Sequence, residues 1–265
     1  MGIDYVIDRD CPVKEQLSTD GIVERIKARG RAEMVLNIVR DSGDHRTPSE
    51  ITFQTMLQTP DGVEEKEVSV QELLDQAAVL DDLEPHCEGC PANALGHHFG
   101  CYNYISYPLQ TAAEEWLMAR LPAELTGTAG HLLTAAVRDL EIDGAPVAQM
   151  RQDETFFEER TPAHRRWGGL LSRNHFELTS DQLLQMMFAV GDLQPSHAAM
   201  VCLFLGVLPH NLEPEILRDS TALRQQLATA ELERPEADDG TGGLLLFLHA
   251  MRVAATLECD LLVDF

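Results

Sequence analysis

The chain has 265 residues, of which 44% are hydrophobic, and its formal net charge at pH 7 is -24. This length fits one large domain or two ordinary ones, and the hydrophobic fraction is sufficient to bury a core. Because nucleic-acid backbones and anionic lipids attract basic surfaces, the excess of acidic residues argues against a nucleic-acid or membrane partner.

Neither a secretory signal nor a membrane-spanning segment is predicted. The first residues, MGIDYVIDRD, carry acids where a signal peptide has basic residues before an apolar run. The most apolar run, GLLLFLHAM, is far shorter than the roughly 20 residues that a bilayer requires. We therefore expect a cytoplasmic protein, in which clustered cysteines hold metal or do redox chemistry more often than they form disulfides.

Two elements are predicted near the start of the chain. Alternating β-branched residues predict a strand at Ile3–Ile7. The spacing of Ile22 and Ile26 predicts an amphipathic helix from Thr19 to about residue 31. The following residues 34–39 (MVLNIV) either continue that helix or form a strand, and we prefer the strand.

A β-hairpin and a helix are predicted next. The segments 51–57 and 63–70 flank TPDG, in which proline presets φ and glycine tolerates positive φ. Ser69 with Glu72 three residues later predicts a capping box, in which each residue's side chain accepts a backbone N–H of the other. The cysteine-rich segment after this helix is predicted to be irregular loop.

Beyond Tyr107 and Pro108 the pattern is mainly helical. Thr111 with Glu114 matches a second capping box, and Ser180 and Ser196 are candidate N-caps. The predicted helices are 111 to before Pro122, 129–140, 180–190, 196–205, 215–230 and 244–257. Residues 231–243 predict an acidic surface loop, and residues 259–265 predict a strand that pairs with the first one.

These elements predict an α+β fold. A small mixed α/β N-terminal module, residues 1–108, contains the hairpin and the cysteine-rich loop. A mainly helical C-terminal module, residues 109–265, follows, and its last strand returns to the N-terminal module.

The clearest chemical pattern is a set of four cysteines. Cys87 and Cys90 form a Cys-x2-Cys pair, Cys101 follows, and Cys11 lies in the loop after the first strand. Four thiolates are a typical ligand set for structural zinc, and a turn directs the two thiolates of such a pair to one ion. The sequence therefore predicts a four-cysteine zinc site, for which His86, His97 and His98 are substitute ligands.

Two other interpretations of the cysteines remain open. Four cysteinates also hold iron–sulfur clusters, and both Cys11 and Cys90 precede proline, as a ligand of the bacterial ferredoxin motif does. The spacing matches neither ferredoxin pattern, however. Without a metal, the cysteines would be small buried residues or a thiol pair that responds to redox state.

A second candidate site is a basic segment, RTPAHRRWGG. Arg160, Arg165, Arg166 and Arg173 could form an anion pocket, because guanidinium groups bind phosphate and carboxylate oxygens. Ion pairs with nearby acids are the alternative. The leading functional prediction is a metal-binding protein with structural zinc and a helical module that binds a protein partner. An iron–sulfur redox protein, or a metal-dependent enzyme that uses the Cys/His cluster, is the other.

Overall fold

The computed structural model describes residues 2–59, 62–153, 155–168, 175–232 and 240–264. It contains 52% helix and 15% strand, and the strands form small separate sheets, which confirms the predicted α+β class. The strands are β1 (Gly2–Asp8), β2 (Thr52–Thr59), β3 (Gly62–Ser69), β4 (Tyr102–Ser106), β5 (His164–Trp167), β6 (Phe176–Thr179) and β7 (Asp260–Asp264).

Most of the secondary structure is helical. The helices are α1 (Pro12–Leu17), α2 (Thr19–Asp41), α3 (Val70–Ala77), α4 (Val79–Leu83), α5 (Thr111–Arg120), α6 (Thr128–Asp139), α7 (Ala145–Met150), α8 (Ser180–Phe188), α9 (Pro195–Phe204), α10 (Pro214–Arg218), α11 (Ser220–Thr229) and α12 (Gly242–Leu257). A short 3-10 helix, Glu84–Cys87, follows α4. The helix α1, the helix α7, the strand β4 and the hairpin β5–β6 were not predicted from the sequence.

The chain forms two compact units. The larger unit contains Met1–Arg9, Pro91–Gly96 and Gly100–Phe265, and the smaller unit contains Asp10–Cys90 and His97–Phe99. These units differ from the predicted division at residue 108, because β1 and β4 belong to the same unit as the C-terminal helices.

A three-stranded antiparallel sheet lies in the larger unit. Its strand order is β4-β1-β7, and Val6 at the centre of β1 is paired with Tyr102 on one side and Leu262 on the other. The predicted pairing of the first and last strands is thus confirmed. The helix α12 packs on this sheet, where the rings of Tyr5 and Phe247 meet edge to face with their centroids 4.9 Å apart.

The core of the larger unit is built by helices that bury more than one face. In α8, Met186, Met187 and Phe188 are all buried, and in α9 Cys202 is fully buried, as is typical of a packing cysteine. The helix α12 packs against α9 and α11 as well as against the sheet. No helix among the described residues is both long enough and apolar enough to cross a bilayer.

The smaller unit packs α2 and α3 beside the two-stranded hairpin β2–β3. The predicted hairpin is confirmed, with Thr52 opposite Ser69 at its open end, while Pro60 and Asp61 of its turn lie outside the described residues. The predicted capping box is also confirmed, because Glu72 N donates to Ser69 Oγ and Ser69 N donates to the Glu72 carboxylate.

The strand predicted at residues 34–39 is wrong, because α2 runs without a break to Asp41. Ala28 and Ala32 are buried in an apolar cluster, and Val35 and Val39 pack against it, which is helical spacing. Gly30 lies on this helix with nothing within 4 Å of where a Cβ would be, so it interrupts neither the helix nor its packing.

Four predicted helix caps or boundaries also differ from the structure. The helix α5 has no side-chain cap, because Glu114 is buried elsewhere, and Thr179 rather than Ser180 caps α8. The helix α9 begins at Pro195, so Ser196 lies inside it and is not an N-cap. The predicted helix 215–230 is two helices, because the Asp219 carboxylate accepts the N–H groups of Thr221 and Ala222 and starts α11.

Two further predictions about loops and ends have partial outcomes. Gly206, two residues after the end of α9, has a positive φ and stops that helix. The predicted acidic loop falls largely on residues 233–239, which lie outside the described residues, as does Phe265 of the predicted final strand.

Candidate metal centre and neighbouring sites

The Cys-x2-Cys pair forms a tight turn in the smaller unit. Cys87 ends the 3-10 helix, and the N–H of Cys90 donates to the Cys87 carbonyl at 3.3 Å. Gly89 has φ of +70°, a left-handed conformation that glycine adopts without the strain of a Cβ. The sulfur of Cys87 accepts the backbone N–H of Phe99 at 3.3 Å. An N–H donor of this kind stabilises the deprotonated thiolate, whether the thiolate is free or bound to metal.

Cys11 belongs to the same unit. It is the N-cap residue of α1 in extended conformation, and its side chain makes no capping hydrogen bond. It packs against the apolar cluster that buries Cys87, Phe99, Val13 and Leu83. The start of α1 and the turn after α4 therefore meet around the same small core.

The thiols of this unit influence each other electrostatically. Burial raises the pKa of the Cys87 thiol above its ordinary value, and the N–H of Phe99 lowers it by a smaller amount. Negative charge on Cys90, Cys11 and Glu84 raises this pKa further. Ionisation of all three thiols together is thus opposed unless a cation compensates their charge.

The three histidines proposed as substitute ligands are exposed. His98 Nε2 lies 3.8 Å from a Glu84 carboxylate oxygen, and His97 Nδ1 lies 2.9 Å from the His98 carbonyl oxygen. His86 is exposed within the 3-10 helix. His97 and His98 lie in the smaller unit, but His97 Nδ1 and His98 Nε2 are directed at other partners.

Cys101 lies in the larger unit, directly before β4. Its carbonyl accepts the N–H of Ile7 at 2.9 Å, which extends the pairing of β1 and β4 by one residue. The predicted four-cysteine set therefore takes three residues from the smaller unit and one from the larger. All six cysteines are thiols rather than disulfides.

The thiols are not arranged as a finished metal site. Within the described ranges, no group of three or more His, Cys, Asp or Glu side chains has the arrangement that holds a metal ion. The donor chemistry nevertheless fits zinc, because the smaller unit gathers three sulfur ligands and supplies a backbone donor to one of them. Binding would require the side chains to turn toward a common point.

Two arginines of the predicted anion site, Arg165 and Arg166, have partners within the chain. Arg165 donates to the carbonyls of Met118 and Pro122, at 2.6 and 3.1 Å, and burial lowers its pKa. Arg166 forms an ion pair with Glu177, with Nε 3.0 Å from a carboxylate oxygen. An anion would therefore have to compete with these internal partners for the two guanidinium groups.

The other two arginines of that set are placed differently. Arg160 borders an open depression of about 790 Å³ that is also lined by Gln149, Gln152, Asp153 and Thr155. Arg173 lies outside the described residues. A single pocket formed by all four arginines thus stays a prediction.

A buried charged network in the larger unit was missed by the sequence analysis. Arg151, whose side chain is 2% exposed, donates to both carboxylate oxygens of Glu114, at 2.9 and 2.6 Å, and to Asp181 at 2.9 and 2.6 Å. Ser180 donates to Glu114, and the Arg151 guanidinium stacks 4.0 Å from the centroid of the Phe157 ring.

This network joins segments that are distant in sequence. Glu114 comes from α5, Arg151 follows α7, and Ser180 and Asp181 begin α8. In the sequence, Glu114 follows Thr111 at the spacing of a capping box, and Ser180 stands where an N-cap residue is expected. No local pattern indicates that Arg151, 37 positions from Glu114, binds both of them. The N–H groups of Arg151 donate to partners within the chain, which is typical of a structural role.

Comparison with known proteins yields no relative: no family model, no curated protein and no solved structure matches the chain.

Proposed function

We propose that this chain is a cytoplasmic metal-binding protein in which Cys11, Cys87 and Cys90 hold a structural zinc ion. The observation that carries this proposal is the shared placement of Cys11 and the Cys87–Cys90 turn in one small unit, with the Phe99 N–H directed at Cys87 Sγ. The four-cysteine set predicted from the sequence also contains Cys101. A zinc ion with four thiolates has no open position for water, so its role is structural.

The electrostatics of the thiols support a cation as the missing component. Three neighbouring thiolates carry charge of one sign, and a divalent ion replaces their protons and compensates that charge. By holding residue 11 beside residue 87, the ion would close a long loop, and its binding free energy would contribute to folding of the smaller unit.

The proposal also assigns the helical surface of the larger unit to a protein partner. The exposed large apolar residues of this unit within the described ranges are Tyr104 on β4, Leu140 directly after α6, Val190 beyond the end of α8 and Leu246 on α12. The acidic charge of the chain favours a partner with a basic surface.

Elemental analysis of protein purified without added metal tests the proposal. We expect one equivalent of zinc per chain. A brown protein that contains iron and inorganic sulfide would instead establish the iron–sulfur alternative. Protein that contains no metal and takes up none from a zinc buffer would overturn the proposal.

Matched serine variants identify the ligands. We expect Cys11→Ser, Cys87→Ser and Cys90→Ser each to lose zinc against a competing chelator, because each removes one thiolate. Cys259→Ser is the control, because Cys259 lies in the larger unit and its sulfur is directed at the Ala254 carbonyl. Cys101→Ser and His98→Ala test which residue is the fourth ligand. Only the substitution that removes this ligand should weaken zinc binding.

A further inference from the structure

The helix α2 carries an exposed apolar pair. Met34 and Ile38 are 57% and 63% exposed, and because they are four residues apart they lie on one face of the helix. The other large apolar residues that are exposed in the described part of the chain lie singly, on β4, on α12 and in the segments after α6 and α8. Paired exposure of this kind on one helix indicates an interaction surface more strongly than scattered exposed residues do.

This face is turned away from the core of the smaller unit. The opposite side of α2 supplies Ala28 and Ala32 to the buried cluster, with Val35 and Val39 packed against it. One stripe of the helix thus packs against the core of its own unit, and a second apolar stripe is exposed to solvent.

Two charged residues extend the second stripe at its ends. Arg31, Met34, Ile38 and Asp41 are separated by three, four and three positions, the spacing that keeps residues along one helix face. We call these four residues the α2 stripe. Arg31 and Asp41 are both exposed, and neither has an ion-pair partner within the described ranges.

We propose that two copies of this chain associate through the α2 stripe, with the two α2 helices antiparallel about a two-fold axis. An axis beside residue 36 brings Met34 of each copy onto Ile38 of the other. The same axis brings Arg31 of each copy onto Asp41 of the other, so each contact occurs twice. A two-fold interface requires a self-complementary surface of this kind.

The order of the charges favours a second copy over an unrelated partner. The stripe has a cation at one end, an anion at the other and two apolar side chains between, so its antiparallel copy satisfies all four residues. The interface is small and the net charge of -24 on each chain opposes contact, so the dimer is weak and depends on concentration.

Sedimentation velocity over a concentration series up to about 1 mM tests this inference, because this range covers weak dissociation constants. For the wild type we expect a reversible equilibrium between monomer and dimer. Arg31→Glu should weaken the dimer roughly tenfold, because it replaces attraction with repulsion at both ends of the interface. Ile38→Glu should abolish association, because it places charge in the apolar centre.

Charge reversal at the other end separates this interface from a general effect of net charge. Asp41→Arg makes the chain less acidic, which by itself favours association, yet we expect it to weaken the dimer. The double variant with Arg31→Glu and Asp41→Arg should restore wild-type affinity, because the ion pairs are re-formed with exchanged partners.

Arg40→Glu is the matched control, because Arg40 is an exposed arginine of α2 that lies off the stripe. It should change the dimer affinity much less than Arg31→Glu does. Circular dichroism confirms that each variant is folded. A wild type that is monomeric throughout the series, equal effects of the two arginine variants, or no rescue in the double variant would each overturn the inference.

Discussion

The two units differ in the charges that their polar clusters carry. In the larger unit, the buried guanidinium of Arg151 faces the carboxylates of Glu114 and Asp181, so the cluster contains charges of both signs. In the smaller unit, the clustered groups are thiols, which all acquire the same charge when they ionise. The first cluster is complete within the chain, whereas our proposal adds a cation to the second. The proposal therefore predicts that metal stabilises the smaller unit much more than the larger unit.

Removal of Arg151 should produce the largest effect. Arg151→Met leaves two buried carboxylates without their cation, so we expect the free energy of unfolding to fall by about 3–5 kcal/mol. Urea denaturation of the larger unit, followed by the fluorescence of the buried Trp167, measures this change. Arg166→Met is the control, because its ion pair with Glu177 is exposed and should contribute at most about 1 kcal/mol. Equal effects of the two variants would show that the buried network does not stabilise the unit.

Removal of zinc should mainly destabilise the smaller unit, which contains Cys11, Cys87 and Cys90. At free zinc about 100 times the dissociation constant, bound metal contributes about 2.7 kcal/mol, which a chelator removes. Hydrogen exchange is the appropriate measurement, because it reports each element separately. We expect faster exchange in α1, α3 and α4, and unchanged exchange in α8, α9 and α12, which supply none of the proposed ligands. Equal acceleration in both units would contradict the proposed contrast.

Local patterns in the sequence were sufficient where the structure depends on neighbours in sequence. The capping box of Ser69 and Glu72 was predicted because both of its hydrogen bonds join residues three positions apart. The same pattern at Thr111 and Glu114 was misleading, because Arg151 binds the Glu114 carboxylate from 37 positions away. No pattern within one helix indicates that competition.

The strand that was wrongly predicted at residues 34–39 has a related cause. Apolar residues occupy both faces of that part of α2, with Val35 and Val39 packed on the core and Met34 and Ile38 exposed. Such a run has no clear helical period, so it resembles a buried strand. The residues that obscured the period are the ones that form the proposed dimer surface.

The metal-binding role of the cysteines stays a prediction, and the structure adds how these residues are arranged. The Cys-x2-Cys spacing predicts two candidate ligands from the sequence alone. That Cys11 packs in the same cluster as Cys87 depends on the packing of α1 and α4, which no local pattern encodes. The Phe99 N–H that donates to Cys87 was likewise not indicated by the sequence.

A smaller effect is expected at the capping box of the smaller unit. Ser69→Ala removes the acceptor for the Glu72 N–H, so we expect a loss of about 1 kcal/mol in the free energy of unfolding. The loss should be the same with and without zinc, because the capping bonds do not involve the thiols. Ser49→Ala, at an exposed serine of the same unit, should change stability by less than about 0.5 kcal/mol. A loss that appears only in the zinc-free protein would link the cap to the metal centre.

The smallest effect concerns His210, a half-buried histidine of the larger unit. Burial lowers the pKa of His210 below its ordinary value of 6.5, and the positive charges of Arg165 and Arg120 lower it further. The unfolded chain then takes up a proton near pH 6.5, while the folded chain takes it up only at lower pH. Stability is therefore fully present above pH 6.5 and is lost as the pH falls from there toward the folded pKa.

His210→Gln should reduce this loss, because glutamine does not titrate and its amide can still donate to the Phe204 carbonyl that His210 contacts at 3.1 Å. Thermal unfolding between pH 7.5 and about 5, a range that spans the histidine pKa, measures the slope of stability against pH. His131→Gln, at an exposed histidine of α6, is the control for the loss of one histidine. Because both substitutions remove one histidine, a difference between them reports the burial of His210 and not the change in net charge. Identical slopes in the two variants would show that His210 titrates alike in the folded and unfolded chain.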